Sequence, residues 1–479
     1  MTTSDISGRG LDPADWDDAR RAAHALLDAC LDHMQDAGAR PWLRPDDPAV
    51  AALRPDLPRS GIGYDALSEV LVRDVMPFAT GNTHPRFFGW VHGTGQFEAF
   101  LADMVASAMN SNCGGRDHGA THVERAVIDW STRIFGFPEA AGGVLTTGTS
   151  AATALCLAAA RQAVLGPDVR RAGNAGAPLV GYASAGTHSA VRKAFELLGL
   201  GGAALRDVPL DANGQGDVTI LSHMIAGDRA AGRTPFLVVG TAGSVDTGRF
   251  DDLAALATLA EEERLWFHVD GAFGAWVRIA GDPWSGLVTG IERADSLAFD
   301  FHKWPYVQYD CGAALVRDGA ALHAAFATRP AYLALQEAGL GGGDPWFCDF
   351  GIDLSRGFRA LKVWSVLRAH GLDRLGRAIA DNCRQAARMG ELLEASGLFE
   401  LAAPVRANVC CFRGIDPASD RLLAGIAAEM QLAGEAVLST TNVDGRPALR
   451  AAIVNHRTRD DDIVATVRVA GERLRRTIG

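Results

Sequence analysis

At 479 residues, with 48% apolar and 22% charged side chains, the chain is too long for one small core and too apolar for disorder; it reads as a large globular domain with one or two smaller ones. A net charge of −11 argues against nucleic acid or an anionic membrane surface as the main partner. No apolar run approaches the roughly 18 residues of a membrane helix. The first residues have neither a basic nor an apolar leader region, so no signal peptide is read. Eight cysteines, none in a CxxC spacing and several inside apolar segments, point to no metal site and no disulfide, as in a cytoplasmic protein.

In chain order, residues 1–80 read as a helical segment opened at Pro13, with Leu26, Leu27, Cys30, Leu31 and Met34 on one face. From 81 to 355, short apolar runs alternate with helical patterns. Val144–Leu145 precede a helix from Ser150, 178–184 precedes one starting near His188, and 235–243 precedes 251–263. The runs 265–273 and 296–301 follow. This rhythm predicts an α/β fold with a mostly parallel sheet flanked by helices, whose ligands bind at the carboxyl ends of the strands. Residues 356–479 read as a smaller C-terminal αβ domain, with a helix over 356–371 and strands near 407–413 and 448–455. Four glycines and a proline make 338–345 the clearest mobile loop.

Of 46 basic residues only three are lysines (Lys193, Lys303 and Lys362), leaving 43 arginines. Arg is the better permanent cation, but only a primary amine forms a Schiff base with a carbonyl. Lys193 and Lys362 sit in amphipathic helical patterns, where a solvated or snorkelling lysine is ordinary. Lys303 instead lies in 299-FDFHKWPYVQYD-310, where an ammonium among aromatic residues must be paired, with Asp270 or Asp300, or converted. Three other features fall at strand ends or helix starts. The turn 143-GVLTTGTSAAT-153 offers hydroxyls and backbone N–H groups at a helix N-terminus, either a phosphate cradle or a plain cap. Asp270 closes 265-LWFHVDGAF-273, where a carboxylate could bind a metal, cap a helix or pair with a cationic ring nitrogen. His188 opens a helix as a cap, a core residue or a flat group over a ring. One ligand accounts for all four, because pyridoxal phosphate needs an amine, an acid at its ring nitrogen, a phosphate cradle and a flat group over its ring.

The set GVLTTGTSAAT, THSAVRKAF, HVDGAFG and SLAFDFHKW…DCGAALV, in that order, resembles the pyridoxal-phosphate-dependent group II decarboxylases from about residue 60 onward. HKW followed by YDC looks more like the aromatic L-amino acid branch than the glutamate branch. The resemblance implies the aspartate-aminotransferase-like fold (fold type I), and carbon dioxide release from an L-amino acid, most readily an aromatic one. It also implies a homodimer whose subunits share active sites. By motif, Lys303 is the amine that condenses with the cofactor aldehyde and Asp270 holds the ring nitrogen. His188 stacks on the ring and helps return a proton, while Thr149 and Ser150 bind the phosphate with His302 beside them. Tyr332, in 329-RPAYLALQ-336, matches a tyrosine that favours protonation at Cα, with closure of the 335–348 loop excluding water.

Several positions depart from the pattern. Asp300 stands where the family has Asn or Asp, and an ionised Asp300 accepts hydrogen bonds only. Pro305 replaces an apolar non-proline residue. In 243-GSVDTG-248, Ser-Val stands where relatives often show Thr-Thr, so one cofactor contact is either lost or moved to Ser244. Arg116, Asp117 and His118 make polar a wall that is more apolar in the aromatic branch. The aromatic face then falls to 87-FFGWVHG-93, chiefly Trp90, with His92 or Thr94 near the substrate carboxylate. Alternatives on the same fold are an oxygen-consuming aldehyde synthase and an aminotransferase. A non-enzymatic cofactor-binding sensor would call for an appended domain, and none is read.

Overall fold

The computed structural model describes residues 10–40, 42–328, 339–343 and 345–478. Three helices open the chain: α1 (Trp16–Gln35), α2 (Asp47–Leu53) and α3 (Tyr64–Val70). The first helix starts after Pro13 rather than at it, because Asp15 is the cap and accepts from the N–H groups of Asp17 at 2.8 Å and Asp18 at 3.2 Å. Then come α4 (Phe97–Met109), α5 (Gly119–Phe135), β1 (Gly142–Thr146), α6 (Thr149–Leu165), α7 (Val169–Ala172), β2 (Leu179–Ser184), α8 (Ser189–Leu197), β3 (Leu205–Val208) and α9 (Val218–Ala230). The large sheet is completed by β4 (Thr234–Thr241), β5 (Trp266–Asp270), β6 (Ser296–Asp300) and β7 (Gly312–Val316), with α10 (Leu253–Glu263) and α11 (Gly319–Phe326) packed on it.

Its strand order is β1-β7-β6-β5-β4-β2-β3. Pairings from β6 to β3 are parallel, while β7 runs antiparallel to both β6 and β1. The central strands are buried on both faces, as parallel strands covered by helices require. Side chains alternate along β6. Phe299, with Phe301 just beyond, packs against Trp276 and Phe135 at ring-centroid separations of 4.8 to 5.6 Å. Asp300, between them, faces the other way. Truncating one of these fully buried rings costs about 3–5 kcal/mol. The Trp276 indole also donates to the Asp300 carbonyl at 2.9 Å, so this cluster fixes the strand end where the site is built.

The long helix α12 (Ala360–Ala395), broken at Gly371, joins two cores. Val363 and Val366 belong to the larger, Ala386, Met389 and Leu393 to the smaller. Beyond it lie β8 (Phe399–Leu401), β9 (Val409–Gly414), α13 (Leu423–Leu432), β10 (Ser439–Val443), β11 (Arg446–Ala452) and α14 (Asp460–Ile478), whose four strands form an antiparallel sheet in the order β10-β11-β9-β8. Adjacent Cys410 and Cys411 point to opposite faces of β9, one into each core, so period-two alternation separates the two thiols.

Lys362 corrects the expectation of a solvated or snorkelling side chain. It is buried, pairs with Asp103 at 3.1 Å and donates to the Tyr309 carbonyl at 3.2 Å. No helix among the described residues is long and apolar enough to cross a membrane.

Candidate active site

Because β1, β2, β4, β5 and β6 point the same way, their carboxyl ends gather the chemistry-bearing residues on one edge of the sheet. Thr149 and Ser150 start α6 after β1, His188 follows β2, Ser244 follows β4, Asp270 ends β5, and Asp300, His302 and Lys303 end β6. All of them line one cavity of about 510 Å³, within the range of small-molecule sites.

Two glycines make the convergence possible. A Cβ at Gly312 would stand 2.6 Å from both Asp300 Oδ1 and the Gly148 Cα. A Cβ at Gly93 would stand less than 2 Å from the His302 carbonyl. Only a bare Cα lets β7 slot between β1 and β6, and lets the 87–93 segment lie on the lysine-bearing turn.

At the base of the cavity Asp270 is 5% exposed, accepts one hydrogen bond, from the Ala272 N–H at 3.3 Å, and has no ion pair among the described residues. Burial raises its pKa, and the neighbouring His188 and Lys303 oppose that rise. The Lys303 ammonium pairs instead with Asp300, at 2.9 Å. The other Asp300 oxygen accepts from the Thr149 N–H at 2.7 Å. His188 caps α8 by accepting from the Ala190 N–H at 3.2 Å through Nδ1, which leaves Nε2 as the ring nitrogen that bears the N–H. His302 is buried, its Nδ1 accepts from the Cys311 N–H at 3.2 Å, and burial lowers its pKa. Ser244 Oγ accepts from the Arg249 N–H at 3.2 Å.

The mouth is aromatic. His92 stacks beside Phe87 and Trp90, at 5.8 and 5.7 Å, with those two rings 6.1 Å from each other, and burial, with Lys303 and His302 nearby, lowers its pKa. Trp90, half exposed, sits at φ 54°, a left-handed turn secured by Arg450, whose guanidinium donates to the Trp90 carbonyl at 3.0 Å. Thr94 is not brought to the cavity, since its buried hydroxyl lies 2.9 Å from His456 Nδ1. Arg116, Asp117 and His118 do not line it in the single chain either. Arg116 lies over Trp346 at 5.2 Å, Asp117 pairs with His122 at 2.7 Å, and His118 caps α5. Tyr332, and residues 335–338 and 344 of the expected loop, lie outside the described residues.

Sequence reasoning passed over Tyr309 as a site residue. Its ring lies 4.4 Å from that of His302, and its pKa is pushed up to about 12 by burial and the Asp300 charge. It also passed over Arg450, on β11 more than 350 residues from the turn it holds. The YDC tripeptide was the one local signal for Tyr309. Arg450 has none, because only the docking of the small sheet brings it near Trp90.

These residues fit pyridoxal phosphate on two observations. Among the described residues the buried Thr149 hydroxyl, at the N-terminus of α6, has no hydrogen-bond partner, the signature of an unfilled acceptor requirement beside a phosphate cradle. Asp270, buried without an ion pair, is a carboxylate that a cationic ring nitrogen would satisfy.

Comparison with known proteins gives the same answer. The pyridoxal-dependent decarboxylase conserved domain matches residues 50–415. An aromatic-L-amino-acid decarboxylase of Bacillus atrophaeus is 31% identical over 458 residues, 94% of each chain. The crystal structure of Oryza sativa TDC with pyridoxal phosphate and tryptamine superposes with a TM-score of 0.89 at 26% identity, covering 98% of this chain and 100% of that one. Rhodiola rosea 4-hydroxyphenylacetaldehyde synthase shares the fold, with a TM-score of 0.86 at 24% identity over 98% of this chain and 100% of that one. With its strand-end lysine, buried acid and hydroxyl-bearing helix start, this chain belongs to the pyridoxal-dependent decarboxylases, carboxy-lyases whose cofactor is pyridoxal phosphate.

Proposed function

We propose that this chain decarboxylates an L-amino acid with an aromatic side chain to the corresponding amine, as a homodimer whose subunits complete each other's pockets. The observation that carries the reading is the convergence of Lys303, Asp270, His188 and the unpartnered Thr149 hydroxyl on one cavity with an aromatic mouth. The aromatic substrate is further supported by the activity of the Bacillus relative and the tryptamine bound in the Oryza structure.

Bound pyridoxal phosphate supplies the electron sink that makes loss of carbon dioxide from Cα accessible. Lys303 Nζ would be the group that holds the cofactor aldehyde. Asp270, buried at the end of β5, would hold the ring nitrogen positively charged by electrostatic stabilisation. Thr149 and Ser150 anchor the phosphate at the α6 N-terminus. His188 would cover the face of the cofactor ring and offer its Nε2–H for proton transfer at Cα, a task it would share with Tyr332. Trp90, His92 and Tyr309 form the wall against which a flat side chain packs. The dimer is supported by α4, where Phe97, Leu101, Met104, Val105 and Met109 make an apolar stripe 40–51% exposed, a face that a second subunit would cover.

The test follows carbon dioxide, amine and oxygen together over a panel of tryptophan, tyrosine, phenylalanine, DOPA, histidine, glutamate and 2,4-diaminobutyrate, with Lys303→Ala as control. Carbon dioxide and amine in equal amounts from an aromatic substrate, without oxygen uptake and absent in the variant, is the expected result. Oxygen uptake with aldehyde would replace the assignment by an aldehyde synthase, and turnover confined to glutamate, histidine or diaminobutyrate would overturn the aromatic pocket.

A further inference from the structure

The geometry points to Asp300 as a latch on cofactor loading: one carboxylate that holds both protein groups the cofactor must engage, and that has to release them before it can be seated. The inference rests on the reading that Lys303 and the start of α6 are the cofactor's anchors.

Asp300 Oδ2 is 2.9 Å from Lys303 Nζ, and Oδ1 accepts from the Thr149 N–H at 2.7 Å. The side chain is 2% exposed, and His302 Nε2 stands 3.6 Å from Oδ2. It has little freedom to turn away. Its own carbonyl is held by the Trp276 indole at 2.9 Å, and Gly312 and Gly148 close in on Oδ1. A carboxylate at a helix N-terminus uses the same backbone N–H groups and the same positive end of the dipole that a phosphate uses. Asp300 therefore competes with the phosphate for one end of the site and fixes the amine at the other. Condensation requires the Lys303 ammonium to leave Asp300 and give up a proton to solvent. The free amine nitrogen then adds to the aldehyde carbon, a carbon–nitrogen double bond replaces the carbon–oxygen one, and the oxygen leaves as water. Asp300 opposes the first of these events by ion pairing and opposes the approach of the phosphate by like charge. An asparagine at 300 is neutral, nearly isosteric and able to donate a hydrogen bond.

The experiment strips the cofactor from the full-length protein and follows its recapture by stopped-flow absorbance of the lysine-bound form. Wild type, Asp300→Asn, Asp300→Glu and Lys303→Ala are each mixed with pyridoxal phosphate or with pyridoxal, which lacks the phosphate. Asp300→Asn is expected to capture pyridoxal phosphate about tenfold faster than wild type, the equivalent of ~1.4 kcal/mol in the barrier. Its gain for pyridoxal should be smaller, since only the lysine is unlatched. Asp300→Glu, which keeps the charge, should not show the gain. Asp300→Asn capturing both compounds at the wild-type rate, or both more slowly by one factor, would mean that Asp300 only supports the local structure. If Asp300→Asn fails to fold, Asp300→Ser is read by the same ratio of the two rates. The control separates the two readings: a wild-type absorbance band in Lys303→Ala removes the lysine assignment, whereas its loss with unchanged Asp300→Asn rates removes the latch alone.

Discussion

Replacing Arg356 by Met should destabilise the protein more than any single surface change, through a buried ion pair that lies outside the cavity. The Arg356 and Glu124 side chains are 2% and 0% exposed, and they meet through two contacts, at 2.5 and 3.0 Å. The guanidinium also donates to the carbonyls of Leu145, at 2.7 Å, and Cys113, at 3.0 Å, and Glu124 accepts from the Leu145 N–H at 3.1 Å. One cation thus ties α5, the strand that leads to the phosphate cradle, and the segment before α12. Arg356→Met leaves a carboxylate and two carbonyls buried without it, a loss of about 3–5 kcal/mol. With an unfolding entropy of about 2.1 cal/mol/K per residue, 479 residues correspond to about 1 kcal/mol/K, so the thermal midpoint should fall by about 3–5 °C. Differential scanning calorimetry measures it, with Arg388→Met, from an exposed pair of 50% and 67% exposure, as a control expected to move the midpoint by less than about 1 °C. Glu124→Leu combined with Arg356→Met should fall short of the summed single effects by about 1–3 kcal/mol. Strict additivity, or an Arg356→Met loss no larger than the control's, would refute the argument that the uncompensated buried charge is what destabilises.

Thr149→Val removes the unpartnered hydroxyl at nearly constant volume and should weaken pyridoxal phosphate binding about ten- to hundredfold in a spectroscopic titration, with pyridoxal affected less; equal binding would remove Thr149 from the cradle. Lys362→Met leaves Asp103 partly hydrated but the Tyr309 carbonyl without its donor, so it should cost about 1–2 kcal/mol and raise the substrate KM more than it lowers kcat. An unchanged KM would mean that Lys362 does not position Tyr309. Burial holds His268 neutral, lowering its pKa to about 3 against an ordinary 6.5, so the unfolded chain binds a proton there that the folded one does not. Stability should therefore drop as pH falls from 6.5 toward 3, by about 1.4 kcal/mol per pH unit from this residue. His268→Asn should lose that part of the slope in urea melts across the window, and an unchanged slope would contradict the assignment.

How much was legible before folding follows from the range of the forces involved. The α/β rhythm, the helix beginning near Ser150, the strand closed by Asp270 and the strand over 296–301 were readable because apolar periodicity and capping act over a few residues. Lys303 stood out because a lysine is rare in this chain and an unpaired amine is costly among aromatic residues. The antiparallel return of β7, the Asp300 bridge between Thr149 and Lys303, and the burial of Lys362 were not readable. In a helical pattern Lys362 looks solvated, and only the packing of α12 on α4 supplies Asp103 and takes away the water.

By itself, then, the sequence determined the cofactor chemistry, because an amine, an acid and a phosphate cradle each leave a local trace in residue type and in position relative to a strand end. The tertiary structure alone decided which of these groups touch, which acid pairs with the lysine, and that Tyr309 and Arg450 shape the mouth. The Thr149–Asp300 and Arg450–Trp90 contacts join segments more than 100 residues apart, and the Lys303–Asp300 pair, though three residues apart in sequence, was one of two candidates until the turn after β6 set its geometry; apolar periodicity encodes neither.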